Sequence, residues 1–370
     1  MAGRPTRILF LIDHAFSTGG AERFAVGLAT RLPRDRFEPW LCATRLSDAA
    51  TRQALDEAGV RHLTLGRSAK WDVHRLRGVV GLVRQHRFDI LHAHMFGSSL
   101  WGSLVGTAFR TPVIIAHEHG FAHDASQVRA WVDGHVIGRL ATRYVAVSQA
   151  DGRMIVQEGV DPAKVVVIPN GYIPSPRDTA TDVRAALGLA PGAPLVAVAA
   201  VLRPEKRLDL LLEAMVRVRV AVPGAQLVIA GDGPCRATLE HEAHRLGLNG
   251  AAHFLGRRSD VDSVLRAADV AALSSDREGS PLLMFECMAN GTPLVATAVG
   301  GIPDVVQDGR TGVLVPRRDP DALARALAGL LTDPDRRAQL AAAARQRLPQ
   351  FTMEATTDRF VALYDELTGR

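Results

Sequence analysis

Short apolar runs alternate with amphipathic stretches along the chain of 370 residues. The first run spans residues 7–12, and a Gly19-Gly20 turn and a helical pattern through Leu32 follow it. Strands separated by helices form parallel sheets with right-handed crossovers, so the alternation predicts doubly wound α/β structure. Further strands are predicted at residues 37–43, 62–65, 90–92, 113–117, 144–147, 165–168, 195–200, 226–230, 252–255, 270–273, 294–296 and 312–315.

The alternation pauses at residues 169–176, a turn-rich segment with three prolines that is typical of an interdomain linker. A chain of this length usually makes two domains. With 47% hydrophobic and 22% charged residues it can bury two cores, which excludes general disorder. We therefore predict domains at residues 1–172 and 173–350, followed by a helix within residues 351–370.

One segment of the second domain carries a turn and a helix start between two glutamates: Glu278, Gly279, Ser280, Pro281, Leu282, Leu283 and Glu286. Pro281 fits the first helical turn, and Ser280 fits its cap. The N–H groups of Leu282 and Leu283 at a helix start attract phosphate. Because carboxylates accept hydrogen bonds from hydroxyl groups, the segment suits a sugar, a diphosphate and a ribose, which together form a nucleotide sugar. The spacing alone favours two solvated glutamates.

A longer series of motifs surrounds these glutamates: Ser274-Ser275, Glu278-Gly279-x-Pro281, Glu286, Gly291-Thr292-Pro293 and Gly300-Gly301-Ile302-Pro303. In this order they resemble the motifs of the family 4 retaining glycosyltransferases. The resemblance covers most of the chain and is most specific in residues 195–320. It implies the GT-B fold, in which two Rossmann-like domains face a central cleft. The first domain would take the acceptor, the second the nucleotide-sugar donor, and the last helix would cross back to the first domain.

The resemblance also implies an activity and the residues that carry it. The activity is a metal-independent transfer of a sugar, with retained configuration, from a nucleotide diphosphate sugar to a glycan or a lipid-linked acceptor. No cofactor is expected besides this co-substrate. The catalytic residues that we predict are His119, Lys206, Arg203 and Glu278. The predicted donor-binding residues are Gly19, Gly20, Arg203, Lys206, Gly256, Glu278, Gly279, Ser280, Pro281, Leu282, Leu283 and Glu286.

Two cations, Arg203 and Lys206, stand in a turn after the first strand of the second domain. A lysine near a helix start is disfavoured by the helix dipole unless an anion binds there, so we predict that this turn stabilises the leaving diphosphate. An ordinary charged helix start is the alternative. The family commonly has an arginine at the position of Val201, and we predict that Arg203 replaces it, since both lie on the same side of an extended chain.

Two features of the first domain are less specific. Gly19-Gly20 lets backbone approach a phosphate or forms a tight turn, and it is not the fingerprint that an NAD-dependent oxidoreductase would need. His92-Ala-His94 and His117-Glu-His119 each place two imidazoles on one side of an extended segment, as a metal site could. No acidic or cysteine residue completes a familiar ligand spacing there, so we favour hydrogen-bonded strand-end histidines and predict no metal. The resemblance matches His119 to a contact with a sugar hydroxyl.

The charge is uneven, because residues 1–175 carry 21 lysines and arginines against 15 acidic residues. This half could be attracted to an anionic membrane or a lipid-diphosphate acceptor, at about 1 kcal/mol per cation. Ordinary solvated helix faces explain it equally well. Nucleic-acid binding is disfavoured, because only 5% of residues are aromatic and they do not alternate with the basic ones.

Cys42, Cys235 and Cys287 are predicted to be buried free thiols of a reducing compartment. No apolar run approaches the roughly 18 residues of a membrane span. The amino terminus contains too few consecutive apolar residues for a secretory signal. We therefore expect a cytoplasmic protein, with peripheral contact at the inner membrane face, in envelope or exopolysaccharide assembly. The alternatives are a non-catalytic GT-B relative that acts as an assembly partner, and a GT-B sugar-nucleotide epimerase or phosphorylase.

Overall fold

The computed structural model describes residues 4–16, 19–67, 73–120, 127–174 and 182–369, with the backbone alone for residues 73–76. The chain forms two compact units. The first comprises Met1–Ile173 and Thr352–Arg370, and the second comprises Pro174–Phe351. The divisions expected from the sequence, after residues 172 and 350, fall one residue from these. Of the predicted linker, Ser175 and Pro176 lie outside the described residues.

The first unit is built on a parallel sheet of seven strands in the described part of the chain. The strands are β1 (Thr6–Ala15), β2 (Phe37–Ser47), β3 (Arg61–Thr64), β4 (Ile90–His94), β5 (Val113–Glu118), β6 (Arg143–Ala146) and β7 (Val165–Val167). Their order is β3-β2-β1-β4-β5-β6-β7, and every pairing is parallel. The order reverses between β1 and β4.

The helices between these strands are α1 (Gly20–Arg31), α2 (Ala49–Glu57), α3 (Val73–His86), α4 (Met95–Ala108), α5 (Gln127–Val132), α6 (Gly138–Leu140) and α7 (Gln149–Gln157). A π-helical turn, Asp133–Ile137, joins α5 to α6. Central strands such as β1 are apolar on both faces and buried from Ile8 to Ile12. Strands of this kind need helices on both sides of the sheet, which is why the sequence shows continuous apolar runs there.

The second unit repeats the design with a parallel sheet of six strands among the described residues. The strands are β8 (Leu195–Ala199), β9 (Gln226–Ala230), β10 (Ala252–Gly256), β11 (Val270–Leu273), β12 (Leu294–Thr297) and β13 (Val313–Val315). Their order is β10-β9-β8-β11-β12-β13, with the reversal between β8 and β11. The helices are α8 (Val183–Ala186), α9 (Leu208–Ala221), α10 (Arg236–Arg245), α11 (Val261–Ala267), α12 (Leu282–Asn290), α13 (Ile302–Val305), α14 (Pro320–Thr332) and α15 (Pro334–Arg347). The predicted fold class, two doubly wound α/β sheets, is confirmed.

The last helix, α16 (Met353–Thr368), belongs to the core of the first unit. Phe360 and Tyr364 are fully buried and pack with Phe24 of α1 and Ile8 of β1 in one apolar cluster. Thr352 caps the helix by accepting a hydrogen bond from the Ala355 N–H at 3.1 Å. Fully burying one large apolar side chain contributes about 2 kcal/mol, so this helix is an integral part of the first unit.

The three cysteines are unpaired. Cys42 and Cys287 are buried, but Cys235 is only partly buried, so the prediction of three buried thiols is wrong for Cys235. It is the residue before α10 and not part of a buried strand or helix. Among the helices in the described residues, none is both long enough and apolar enough to span a bilayer.

Candidate functional site

The strand order identifies one edge of the second sheet as its ligand-binding edge. In doubly wound sheets, ligands bind beyond the carboxyl ends of the strands, where the strand order reverses. In the second unit this point lies beyond β8 and β11. Arg203 and Lys206 follow β8, and Glu278 follows β11. Three of the residues predicted as catalytic therefore lie at this edge.

Lys206 and Glu278 form a close ion pair at that edge. Nζ of Lys206 lies 2.7 Å from both carboxylate oxygens of Glu278. The Ser275 hydroxyl donates a further hydrogen bond to Oε1 of Glu278 at 2.6 Å. The Glu278 side chain is only 6% exposed, and that of Lys206 is 21% exposed. Because the pair is largely withdrawn from water, its charges act more strongly on a ligand than exposed charges would.

The helix beyond Glu278 begins later than the sequence predicts. Pro281 has an extended backbone (φ −66°, ψ 129°) and is the residue before α12, and no side chain caps this helix. The predictions that Pro281 begins the helix and that Ser280 caps it are therefore wrong. Pro281 occupies the cap position itself, and this places Ser280 one residue too far from the first turn.

The start of α12 still has the features that an anion site needs. Leu282 and Leu283 are now its first two residues, and the first N–H groups of any helix lack acceptors within the helix. Glu286 falls in the second turn and is 5% exposed. The N–H of Gly301 donates to the carbonyl of Gly279 at 2.9 Å, which ties this loop to the chain after β12.

The other predicted residues of the second unit lie in nearby turns. Arg203 is exposed, and its guanidinium has no ion-pair or hydrogen-bond partner within the described residues. Gly256 ends β10 with a left-handed backbone (φ 70°), and its carbonyl accepts from the Gly231 N–H at 2.7 Å. Their roles in donor binding, including the replacement of an arginine at Val201, stay predictions.

In the first unit, Gly19 and Gly20 stand where the chain passes from β1 into α1. Gly19 is the residue before the helix, and Gly20 is its first residue. A Cβ on Gly19 would lie 2.0 Å from a carboxylate oxygen of Glu22, so only glycine lets Glu22 fold back over the helix start. A binding role for the two glycines stays a prediction.

The buried histidines of β4 and β5 and the partly buried His119, just after β5, form one cluster beneath α1 and α16. Ring centroids of neighbouring histidines lie 4.1 to 5.2 Å apart. Nδ1 of His92 is hydrogen-bonded to the Tyr364 hydroxyl at 2.7 Å. Nε2 of the same ring is hydrogen-bonded to Nδ1 of His117 at 3.1 Å. Nδ1 of His94 lies 2.9 Å from Nε2 of His119. These histidines are thus hydrogen-bonded, as predicted from the sequence, and the expectation that they bind no metal stays a prediction.

Burial keeps these rings neutral. It lowers the pKa of His92, His94 and His117 well below the usual value, and the neighbouring imidazoles lower it further. Burial also lowers the pKa of His119 to about 3, although a hydrogen bond with Asn170 acts to raise it. Both ring nitrogens of His119 are directed into the protein. Its contact with a sugar hydroxyl stays a prediction.

The same histidines lie close enough together to be considered for a metal. One nitrogen from each of His92, His94 and His117 can be chosen so that all three lie within 4.8 Å of one another. Nε2 of His92 and Nδ1 of His117 face each other at 3.1 Å in nearly parallel rings, so an ion would have to displace the proton that these two nitrogens share. The expectation that no metal binds here stays a prediction.

Comparison with known proteins identifies the family of the chain. The model for "Glycosyl transferases group 1" matches residues 180–347, and that for "Glycosyltransferase Family 4" matches residues 18–175. A D-inositol 3-phosphate glycosyltransferase of Gordonia bronchialis is 30% identical, over 94% of this chain and 83% of the relative. The chain belongs to glycosyltransferase family 4. As a family 4 glycosyltransferase it is a transferase enzyme with the GT-B fold.

Two solved structures illustrate the fold of this family 4 glycosyltransferase. Anabaena HepE in complex with UDP-glucose superposes with a TM-score of 0.85 and is 25% identical, over 97% of this chain and 99% of HepE. WaaG, a glycosyltransferase involved in lipopolysaccharide biosynthesis, superposes with a TM-score of 0.76 at 16% identity, over 98% of this chain and all of WaaG. At such low identity the second likeness concerns the fold alone.

Sequence reasoning assigned no role to Glu118 of this family 4 glycosyltransferase. Glu118 ends β5, is 2% exposed, and lies 3.5 Å from Nη2 of Arg129. Burial raises its pKa to about 8, although the charge of Arg129 opposes the rise. It is therefore mostly protonated at neutral pH. The sequence carries no signal of this, because Glu118 reads as one more strand-end carboxylate.

Glu118→Gln is expected to stabilise the protein above neutral pH. The folded pKa exceeds the unfolded value of about 4.3, so the wild type loses stability as pH rises between these values. The variant cannot ionise, and its advantage should grow by about 1 kcal/mol per pH unit up to pH 8. Thermal unfolding at pH 5, 7 and 8.5 measures this.

Glu38→Gln is the matched control, with the opposite sign. Burial raises the pKa of Glu38, but hydrogen bonds from Arg7 and Trp40 outweigh it and lower that pKa overall. Glu38→Gln should therefore lose ground to the wild type only as pH rises toward the unfolded value of about 4.3, and its deficit should stay the same at pH 5, 7 and 8.5. An advantage of Glu118→Gln that is the same at every pH would contradict the assignment of Glu118.

Proposed function

We propose that this enzyme is a retaining, metal-independent glycosyltransferase that moves a hexose-type unit from a nucleotide diphosphate sugar to a glycan or lipid-linked acceptor. The observation that carries the proposal is the Lys206–Glu278 pair, with Nζ 2.7 Å from both carboxylate oxygens, beside the start of α12. It combines a cation, an acceptor of hydroxyl hydrogen bonds and unpaired helix N–H groups at one sheet edge.

Each member of this site has a task in breaking the bond between sugar and diphosphate. Negative charge develops on the diphosphate as that bond breaks, so Lys206, Arg203 and the α12 N–H groups would stabilise the leaving group. Glu278 would accept hydrogen bonds from hydroxyls of the donor sugar. Glu286, one turn into α12, would accept them from the ribose.

Among the described residues at this edge, the carboxylates have other tasks in this proposal, and none is assigned as a base for the acceptor. We therefore propose that the acceptor hydroxyl attacks the anomeric carbon on the side that the diphosphate leaves. The bond from carbon to diphosphate oxygen breaks, a bond to acceptor oxygen forms, and the acceptor proton passes to a phosphate oxygen of the leaving group. Attack on the side of departure retains the anomeric configuration.

Three observations indicate which donors and acceptors to test first. HepE was solved with UDP-glucose, so UDP-sugars are the first donors to try. The relatives named D-inositol 3-phosphate glycosyltransferases make a phosphorylated polyol a fitting soluble acceptor. The basic residues 1–175 would favour an anionic acceptor such as a lipid-linked diphosphate. We propose a cytoplasmic enzyme at the inner membrane face, in envelope or exopolysaccharide assembly.

Release of free nucleotide tests the proposal. Purified protein would be incubated with UDP-, GDP-, ADP- and dTDP-sugars, with and without D-inositol 3-phosphate or a lipid-diphosphate acceptor, and the nucleotide detected by mass spectrometry. Release from one donor, with a glycosylated acceptor of retained configuration, is expected. If no donor is cleaved with any acceptor and none raises the unfolding temperature, the proposed function is wrong.

Glu286→Gln is expected to weaken binding of the nucleotide. The substitution removes a charged acceptor for ribose hydroxyls, and hydrogen bonds to charged groups contribute about 1.5–3 kcal/mol. The Kd for UDP, measured by calorimetry, should therefore rise roughly 10- to 100-fold. Glu240→Gln on α10 is the control, because Glu240 pairs with Arg236 on the surface at 2.8 Å. Equal Kd values for the two variants would remove Glu286 from the site.

A further inference from the structure

Two residues with strained backbone meet at one carboxylate in the second unit. Arg207 and Arg318 have left-handed backbone, with φ of 48° and 60°, and are two of five such non-glycine residues in the described part of the chain. This conformation costs a residue with a side chain roughly 1 kcal/mol. Both guanidinium groups bind Asp276, Arg207 through Nη1 at 3.2 Å and Arg318 through Nε at 3.1 Å. Asp276 therefore connects two residues whose backbone conformations are disfavoured for a residue with a side chain.

We propose that Asp276 is a positioning residue for Lys206. Asp276 is hydrogen-bonded to both sequence neighbours of Lys206, which are Glu205 and Arg207. Its carboxylate binds the side chain of Arg207, and its backbone N–H donates to the carbonyl of Glu205 at 2.8 Å. The inference rests on the proposed function, because it takes Lys206 as the cation that meets the diphosphate.

The residues just before Asp276 hold the rest of the pair. The Ser274 hydroxyl donates to the carbonyl of Lys206 at 2.9 Å, and the Ser275 hydroxyl donates to Glu278. The short segment after β11 thus contacts both Lys206 and Glu278 and holds the two charged groups together. The two serines belong to the motifs described from the sequence, whereas no role was predicted for Asp276.

The other partner of Arg207 cannot replace Asp276. Asp209 binds the same guanidinium, with Nη2 2.9 Å from Oδ2. The helix α9 begins directly after Arg207, and Asp209 lies in its first turn. The bond to Asp209 is therefore local and does not connect the turn that carries Lys206 to the segment after β11.

Asp276 also keeps the charge that this task requires. Its side chain is 11% exposed. Burial raises its pKa, but hydrogen bonds from Arg318 and Arg207 outweigh this effect and lower the pKa below the usual value. The contact is therefore complete at neutral pH, where a glycosyltransferase would be assayed.

NMR of the lysine side chains tests the proposal directly. The chain has three lysines, at positions 70, 164 and 206, so protein labelled at lysine 13Cε gives three resonances. Asp276→Asn is expected to shift or broaden the Lys206 resonance and leave the other two unchanged. With a donor that the wild type cleaves, kcat should fall about 10- to 100-fold, as displaced catalytic groups usually cause.

Asp269→Asn is the matched control. Asp269 also lies between two arginines of this unit, 2.9 Å from Arg184 and 3.6 Å from Arg337, but it precedes β11 at the opposite edge of the sheet. It should lower the unfolding temperature as much as Asp276→Asn does, while the Lys206 resonance and kcat stay as in the wild type.

An Arg207→Gly background distinguishes the loss of Lys206 positioning from a general loss of stability. Glycine adopts the left-handed backbone without strain, so it needs no anchor. In an Arg207→Gly background, Asp276→Asn should lower kcat by less than about threefold, and the two changes should be strongly non-additive. If Asp276→Asn alone leaves both the Lys206 resonance and kcat unchanged, the proposal is overturned. If the wild type cleaves no donor, the proposed function fails, and the Lys206 resonance still decides the role of Asp276.

Discussion

Lys206→Met is expected to lower kcat by roughly 100- to 1,000-fold. Removing one preorganised group that stabilises developing charge usually costs this much. Methionine keeps most of the length of the side chain and removes its charge, so the loss reports the electrostatic role of Nζ. Steady-state rates with saturating donor measure it, and the KM for the donor should change much less than kcat.

Stability has to be measured alongside the rate, because Lys206→Met leaves Glu278 without its cation. Breaking a buried pair by removing one partner typically costs about 3–5 kcal/mol. The double variant Lys206→Met/Glu278→Gln removes the unpaired charge and should recover much of the unfolding temperature without recovering kcat. Recovery of kcat in the double variant would show that the single variant failed through its fold, and Lys206 would lose its assigned role.

Gly300→Ala is expected to destabilise the second unit by more than about 3 kcal/mol. Gly300 has a left-handed backbone (φ 55°), and a Cβ there would lie 1.5 Å from the carbonyl oxygen of Glu278. Neither backbone segment can yield that far without moving Glu278, so overpacking and strain add together. Urea unfolding measures the loss, and the displaced loop should abolish donor cleavage as well.

Gly329→Ala provides the comparison for that result. Gly329 lies within α14, and a Cβ there would meet no atom within 4 Å. Alanine in a helix interior is favoured over glycine by about 0.5–1 kcal/mol, so this variant should be slightly more stable than the wild type. If Gly300→Ala is as stable as Gly329→Ala, the packing of Gly300 against the Glu278 loop is not as described.

Local pattern was enough to predict most of the fold. The strands at residues 226–230 and 270–273 have the predicted bounds, and the others differ at their ends by a few residues. Strands buried on both faces leave a continuous apolar run in the sequence, and such runs are short and sharply bounded. The ends are harder to predict, because β1 and β2 continue through polar residues that side-chain pattern does not mark.

The chemistry of the site depends on contacts between distant segments, which local pattern does not contain. Lys206 and Glu278 were each predicted as site residues, but their ion pair joins positions 72 residues apart. The contact of Asp276 with Arg207 is of the same kind, since it joins positions 69 residues apart. Near Pro281 the failure was local, because its φ suits both a helix start and an extended cap.

The position of α16 in the sequence determines when the core of the first unit can form during synthesis of the chain. Tyr364 bonds His92, a residue made 272 positions earlier, and Phe360 packs against Phe24 at the centre of the first unit. Domains generally fold as units while the ribosome extends the chain. The second unit, one continuous stretch, is fully synthesised before the helix that closes the first. The first unit therefore completes its core, including the contact of His92 with α16, only after the second unit has been synthesised.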